Sequence, residues 1–169
     1  MSDVLVRALV IGLGNPIMGD DGAGLAALAR LRESYQVDPG VELVDGGTWG
    51  INLLPLIEST PHVVLLDAID TASPPGTLTI LAHDELPRVF QLKLSPHQVD
   101  FREVLGLAEL RGTLPAGLVA IGVQPAQIDL HEGLSPPVEG AIDKMVRTAV
   151  GLLADRGFRC TRLREAAGA

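Results

Sequence analysis

The chain has 169 residues, 47% of them hydrophobic and 20% charged. That length and composition suit one globular domain and exclude a disordered chain. Its 13 basic and 21 acidic residues leave a net charge of −8, which opposes nucleic-acid backbones and anionic membrane surfaces. The single cysteine, Cys160, excludes an internal disulfide and any multi-cysteine metal site.

The opening "MSDVLVRALVIGLGN" carries an acid ahead of its apolar run and an arginine within it. It reads as neither a signal peptide nor a span of the ~20 apolar residues a membrane requires, so the cytoplasm is the expected compartment. Val6 to Gly14 is a continuous apolar run ending in glycine, the pattern of a strand buried on both faces. Gly22 to Arg32 follows with Leu25, Leu28 and Ala29 on one helical face. A second strand, Val41 to Asp45, ends at Gly46 and Gly47, and "INLLPLIE" reads as a short helix with Pro55 early in it. "HVVLLDAI" is a third buried strand, and "GTLTIL" from Gly76 a fourth whose alternation suits an edge or antiparallel place. Helical period returns from Val99 to Leu110, and "GLVAIGV" from Gly117 is a fifth strand. A last helix starts behind Ser135 and runs to about Asp155, leaving 160–169 as a loose tail.

This alternation predicts a three-layer α/β/α sandwich over residues 1–169, with a five-stranded, mostly parallel sheet and one antiparallel strand. Ligands of such sheets bind beyond the carboxyl ends of the strands. The residues there are acidic: Asp20 and Asp21 after the first strand, Asp45 after the second, Asp67 and Asp70 after the third.

A glycine-rich turn between a strand and a helix usually cradles phosphate, and Gly12-x-Gly14 opens like a dinucleotide fingerprint. Its third glycine position is Ile17, however, and Asp20 and Asp21 would face the pyrophosphate. "GLGNP" also resembles the start of bacterial peptidyl-tRNA hydrolases, but the first histidine after it is His62, and the acidic chain offers no basic surface for tRNA. Asp21, Asp67 and His97 in "LSPHQVDF" offer two carboxylates and an imidazole. Brought together, they would suit a borderline divalent ion such as nickel, zinc, manganese or iron. Other roles stand beside this one: Asp20 or Asp21 as a helix cap, Asp67 as a turn residue, His97 as a cap. His62, His83 and His131 carry no comparable pattern.

The stretches "GLGNPIMGDDGAG", "VELVDGGTWG", "VVLLDAID" with "PGT" after it, "KLSPHQVDFREVL" and "IGVQP" occur in that order along nearly the whole chain. Together they resemble the endopeptidases that mature nickel-iron hydrogenases. The resemblance implies nickel ligation by Asp21, Asp67 and His97, with the nickel carried by the substrate. It also implies removal of a C-terminal extension from the precursor of a hydrogenase large subunit. Neither a nucleic acid nor a membrane is an expected partner. Consecutive glycines in "DGGTWG" admit close backbone approach, which makes Asp45, Gly46, Gly47 and Thr48 candidate substrate contacts, and Asp45 or Asp67 a candidate base. A non-cleaving nickel-sensing or escort module would use the same three ligands.

Overall fold

The computed structural model describes residues 5–47, 50–86 and 96–164, with the backbone alone for residues 50, 51 and 96–102. Five strands form the main sheet: β1 (Ala8–Leu13), β3 (Val41–Gly47), β4 (His62–Ala68), β5 (Leu78–Ala82) and β6 (Gly117–Val123), in the order β3-β1-β4-β6-β5. The first four in that order are parallel, and β5 runs antiparallel to β6 at the edge. The expected sheet, with its single antiparallel edge strand, is therefore the one observed.

Strand alternation divides the core into two layers. Ala8, Val10, Val64, Leu66, Val119 and Ile121 face α1 (Ala23–Ser34) and α5 (Ile142–Asp155). Leu9, Ile11, Leu13, Val63, Leu65 and Ala120 face α2 (Leu54–Glu58) and α3 (Pro96–Leu110). No helix among the described residues is long and apolar enough to cross a membrane.

Two details differ from the sequence reading. The last helix is two pieces, α4 (Pro136–Glu139) and α5, because the chain turns at Gly140 and Ala141 before the amphipathic stretch begins. The segment after 160 is not loose throughout. Cys160–Arg162 is strand β7, paired antiparallel with β2 (Tyr35–Val37), and the Leu163 N–H donates to the Ser34 carbonyl. Three-residue strands leave too short an alternation to read from sequence.

The sheet order fixes where a ligand can sit. From β1 the chain crosses through α1 to β3 on one side, and from β4 it runs through β5 and α3 to β6 on the other, so the crevice opens between the carboxyl ends of β1 and β4. Helix α1 closes one side of it at contact distance. A Cβ on Gly24 would lie 2.1 Å from the Leu66 carbonyl oxygen and 2.6 Å from that of Leu13.

Gly24→Ala should therefore destabilise the protein by about 1–3 kcal/mol, the usual cost of overpacking, although alanine is the better helix former. Gly151→Ala, in α5 where an added Cβ meets nothing within 4 Å, should instead stabilise by roughly 0.5–1 kcal/mol. Urea unfolding of the two variants checks the opposite signs.

Candidate functional site

The loop from Gly14 to Gly22 is built from its own backbone. Gly14 adopts φ +109°, and a Cβ there would sit 1.8 Å from the Asp21 carbonyl oxygen, so only glycine fits. The N–H of Gly14 donates to the Gly47 carbonyl, that of Asn15 to Asp21 Oδ2 at 2.9 Å, and that of Ile17 to Asn15 Oδ1 at 3.1 Å. Gly19 N–H donates to the His131 carbonyl, Asp20 N–H to that of Gln127, and Asp21 N–H to that of Met18. The amides a phosphate would need are thus committed internally, which removes the phosphate-cradle reading on geometric as well as electrostatic grounds.

The adjacent aspartates divide the work. Neither the 3-10 turn Gly19–Gly22 nor α1 has a side-chain cap hydrogen bond, so the capping roles expected of Asp20 and Asp21 are not used. Asp20 is wholly buried and accepts four hydrogen bonds from the segment following β6. Ala126 N–H donates at 2.8 Å, Gln127 N–H at 3.0 Å, Ser135 N–H at 2.7 Å and the Ser135 hydroxyl at 2.8 Å. His131, without a readable role in the sequence, works through its backbone, donating to the Ile17 carbonyl and accepting from Gly19.

Asp21 is also wholly buried, in the 3-10 turn packed over the end of β4. Asp67 is the penultimate residue of β4, 2% exposed, with Oδ1 accepting from the Ala68 N–H at 2.8 Å. Its parity is that of Val63 and Leu65, which places it on the α2/α3 face. The C-terminal end of α3 is held at the amino edge of the sheet, where Arg111 Nε lies 3.0 Å from Glu58 Oε2 and the Thr113 hydroxyl donates to the same carboxylate. A 15-residue helix rises about 22 Å, close to the length of a seven-residue strand. The first turn of α3, with His97 in its backbone, accordingly lies at the carboxyl edge on the face that Asp67 occupies.

Asp45 is placed differently. It pairs with Gly12 and has the parity of Leu43, which packs on the α1/α5 layer, and it is exposed at the edge of the sheet. Gly46 is the extra residue of a bulge, since Gly12 pairs with Asp45 and Leu13 with Gly47; Gly47 follows at φ +41°. Thr48 and Trp49 lie outside the described residues. Among the described side chains, no three His, Cys, Asp or Glu form a group that could hold a metal ion; the His97 side chain is outside that set.

One polar residue goes unread in the sequence. Gln124, in "IGVQP", is buried. Its Oε1 accepts from the N–H groups of Thr71 and Ser73 at 2.8 and 3.2 Å, and its Nε2 donates to Asp70 Oδ1 at 3.1 Å. It pins the turn after β4, and the only signal of it is a polar residue closing an apolar strand.

Known proteins resemble this chain over most of its length. The model of a hydrogenase maturation protease family matches residues 26–152. The chain is 35% identical over 153 residues to the hydrogenase 2 maturation protease of Escherichia coli, covering 90% of this chain and 93% of that protein. It is 37% identical over 155 residues to the hydrogenase expression/formation protein HupM of Azotobacter chroococcum, covering 90% and 74%. The hydrogenase maturating endopeptidase HybD of E. coli superposes with a TM-score of 0.87 at 34% identity, covering 92% of this chain and 97% of that one. The [NiFe] hydrogenase maturation protease HybD of Thermococcus kodakarensis gives 0.70 at 30%, covering 86% and 98%. Fold and matches together define an endopeptidase of α/β/α architecture. The chain belongs to the hydrogenase maturation protease family.

Burial would raise the Asp20 pKa, but the hydrogen bonds from Ser135, Ala126 and Gln127 outweigh it and hold the carboxyl below its usual range. A depressed carboxylate stabilises the fold fully above its unfolded value of about 3.9 and loses that contribution as pH falls through the lower folded value. Asp20→Asn, which confronts these donors with a neutral amide, should lower stability at neutral pH by roughly 3 kcal/mol, as expected when charge-assisted bonds in a buried site are lost. The gap to the wild type should narrow below about pH 4; thermal unfolding followed against pH checks both.

Proposed function

We propose that this chain, acting in the cytoplasm, removes the C-terminal extension from the nickel-loaded precursor of a hydrogenase large subunit, and that Asp21, Asp67 and His97 bind the nickel the precursor carries. The observation that supports the reading is that two buried carboxylates, Asp21 in the 3-10 turn packed over β4 and Asp67 next to the end of β4, lie at the carboxyl end of the sheet, with the first turn of α3 entering on the Asp67 face. The names of the relatives, which are hydrogenase maturation proteases, support the substrate class. Two carboxylate oxygens and one imidazole nitrogen form a donor set for a borderline divalent ion. On this reading nickel is part of the substrate and certifies that metal insertion is complete.

Peptide hydrolysis adds water to the scissile carbonyl carbon, moves a water proton to a base and returns it to the leaving amine. Cys160 stands on β7, away from the crevice strands, which supports a carboxylate-assisted, aspartic-type route over a thiol one. Of the two candidate bases, Asp67 is on the crevice face and Asp45 is not, so Asp67 takes the proton. Asp45, Gly46, Gly47 and Thr48 contact the precursor chain beside the cleft, where Asp45 is exposed at the end of β3.

Asp21→Asn keeps an acceptor for the Asn15 N–H, so folding stability should change by less than ~1 kcal/mol, while processing of the nickel-loaded precursor is lost because a neutral amide is a poorer metal ligand. His97→Ala should likewise abolish nickel-dependent processing in a folded protein. Asp67→Asn should slow turnover by about 10²–10⁴-fold, whereas Asp45→Asn should act mainly on KM. Gel-shift assays of the precursor, run beside thermal unfolding, read these effects. Full processing by a folded Asp21→Asn variant contradicts the ligand assignment.

A further inference from the structure

The Gly14–Gly22 loop carries a second feature. A groove of about 360 Å³ is lined by Pro16 and Gly22 from the loop, Leu25 and Ala26 from α1, and Glu132 and Leu134. The two segments that contribute its walls also carry three exposed large apolar side chains nearby in the chain: Ile17 (50% exposed), Ile128 (37%) and Leu130 (81%). They form one patch, because the segment 127–131 is laid against 17–20 by the His131 N–H to the Ile17 carbonyl, the Gly19 N–H to the His131 carbonyl and the Asp20 N–H to the Gln127 carbonyl. Exposed apolar residues scattered singly need no explanation, but a contiguous patch beside a groove marks an interaction site. These side chains are also held rigidly, since the buried Asp20 carboxylate clamps both ends of the segment that presents them.

We infer that this patch docks the folded body of the precursor, while the extension enters the crevice on the Asp67 side; the inference rests on the function proposed above. Three observations favour the folded body as occupant. First, the groove begins at Gly22, one residue from Asp21, so a surface seated there brings its own bound metal to the carboxylate across the same loop. Second, the groove walls are loop and helix side chains with no strand of the main sheet among them, so an extended peptide finds no sheet edge to join, the usual mode for capturing a tail. Third, the segment beside the groove is acidic, with Asp129 and the lining residue Glu132 exposed on a chain of net charge −8. That disfavours a second copy of this chain and fits an apolar spot ringed by basic residues.

Leu130→Asp tests the inference in the full-length protein with the nickel-loaded precursor, and Leu110→Asp is the control. Leu110 is 86% exposed and ends α3 at the opposite edge of the sheet. Leu130→Asp should raise the KM for precursor at least tenfold, with kcat within twofold and thermal unfolding unchanged. Glu132→Lys should raise KM severalfold and weaken its dependence on salt. Leu110→Asp should do neither. An unchanged KM in Leu130→Asp, a loss confined to kcat, or a wild-type dimer that Leu130→Asp dissociates in sedimentation would each overturn the inference. A wild-type chain that leaves the precursor uncut removes the functional reading and this surface with it. A wild type that cuts, beside variants that cut equally well, removes the surface alone.

Discussion

The seat of α1 on the ends of β1 and β4 is the constraint from which the site follows. At Gly24 the helix backbone lies against the carbonyls of Leu13 and Leu66, closer than any side chain permits. The chain has only the short loop from Gly14 to Gly22 in which to leave β1 and reach that seat. The loop must therefore fold tightly over the neighbouring strand, and the carboxylates it carries come to rest inside the protein rather than in solvent. Buried carboxylates are costly unless hydrogen-bonded or paired. The segment after β6 answers that demand for Asp20, delivering two backbone amides, then one more amide and a hydroxyl from Ser135.

Two neighbouring residues of the same type thus have unrelated duties. Asp20 is structural and holds the 126–135 segment in place, and Asp21 sits in the turn packed over β4 with Oδ2 accepting from the Asn15 N–H. The glycine loop resembles a phosphate cradle in sequence, yet it spends its N–H groups on its own carbonyls, on Asn15 and Asp21 side chains, and on the segment around His131. An anion site needs those donors pointing outward. With them turned inward, the loop has no such donors to offer, and its charged groups are the buried carboxylates of Asp20 and Asp21.

The five main strands and the antiparallel edge were legible because buried parallel strands are continuous runs of Val, Leu and Ile closed by glycine or aspartate, as at "ALVIGL" and "HVVLLDA". The acidic strand ends were legible for the same reason, since sheet topology sends every such end to one edge. The Asp20 clamp was not, because its donors are backbone amides more than 100 positions away, and amides leave no mark on sequence. Nor was the β2–β7 ribbon, whose strands are three residues each. The separation of Asp45 from Asp67 depended on strand parity across the sheet, which appears only once register is known. The placement of His97 needed the anchor of α3 at Glu58, a contact between elements far apart in the chain.

The central claim is that Asp21 and Asp67 converge with the His97 imidazole on one metal ion. The chain has four histidines, so the most direct measurement follows their imidazole ¹H–¹⁵N resonances while Ni²⁺ is added to the free protein. The account predicts that the paramagnetic ion broadens His97 first and leaves His62, His83 and His131 sharp, and that the His97 response disappears in a folded Asp21→Asn variant. Broadening that begins at another histidine, or a His97 response that survives Asp21→Asn, would contradict it.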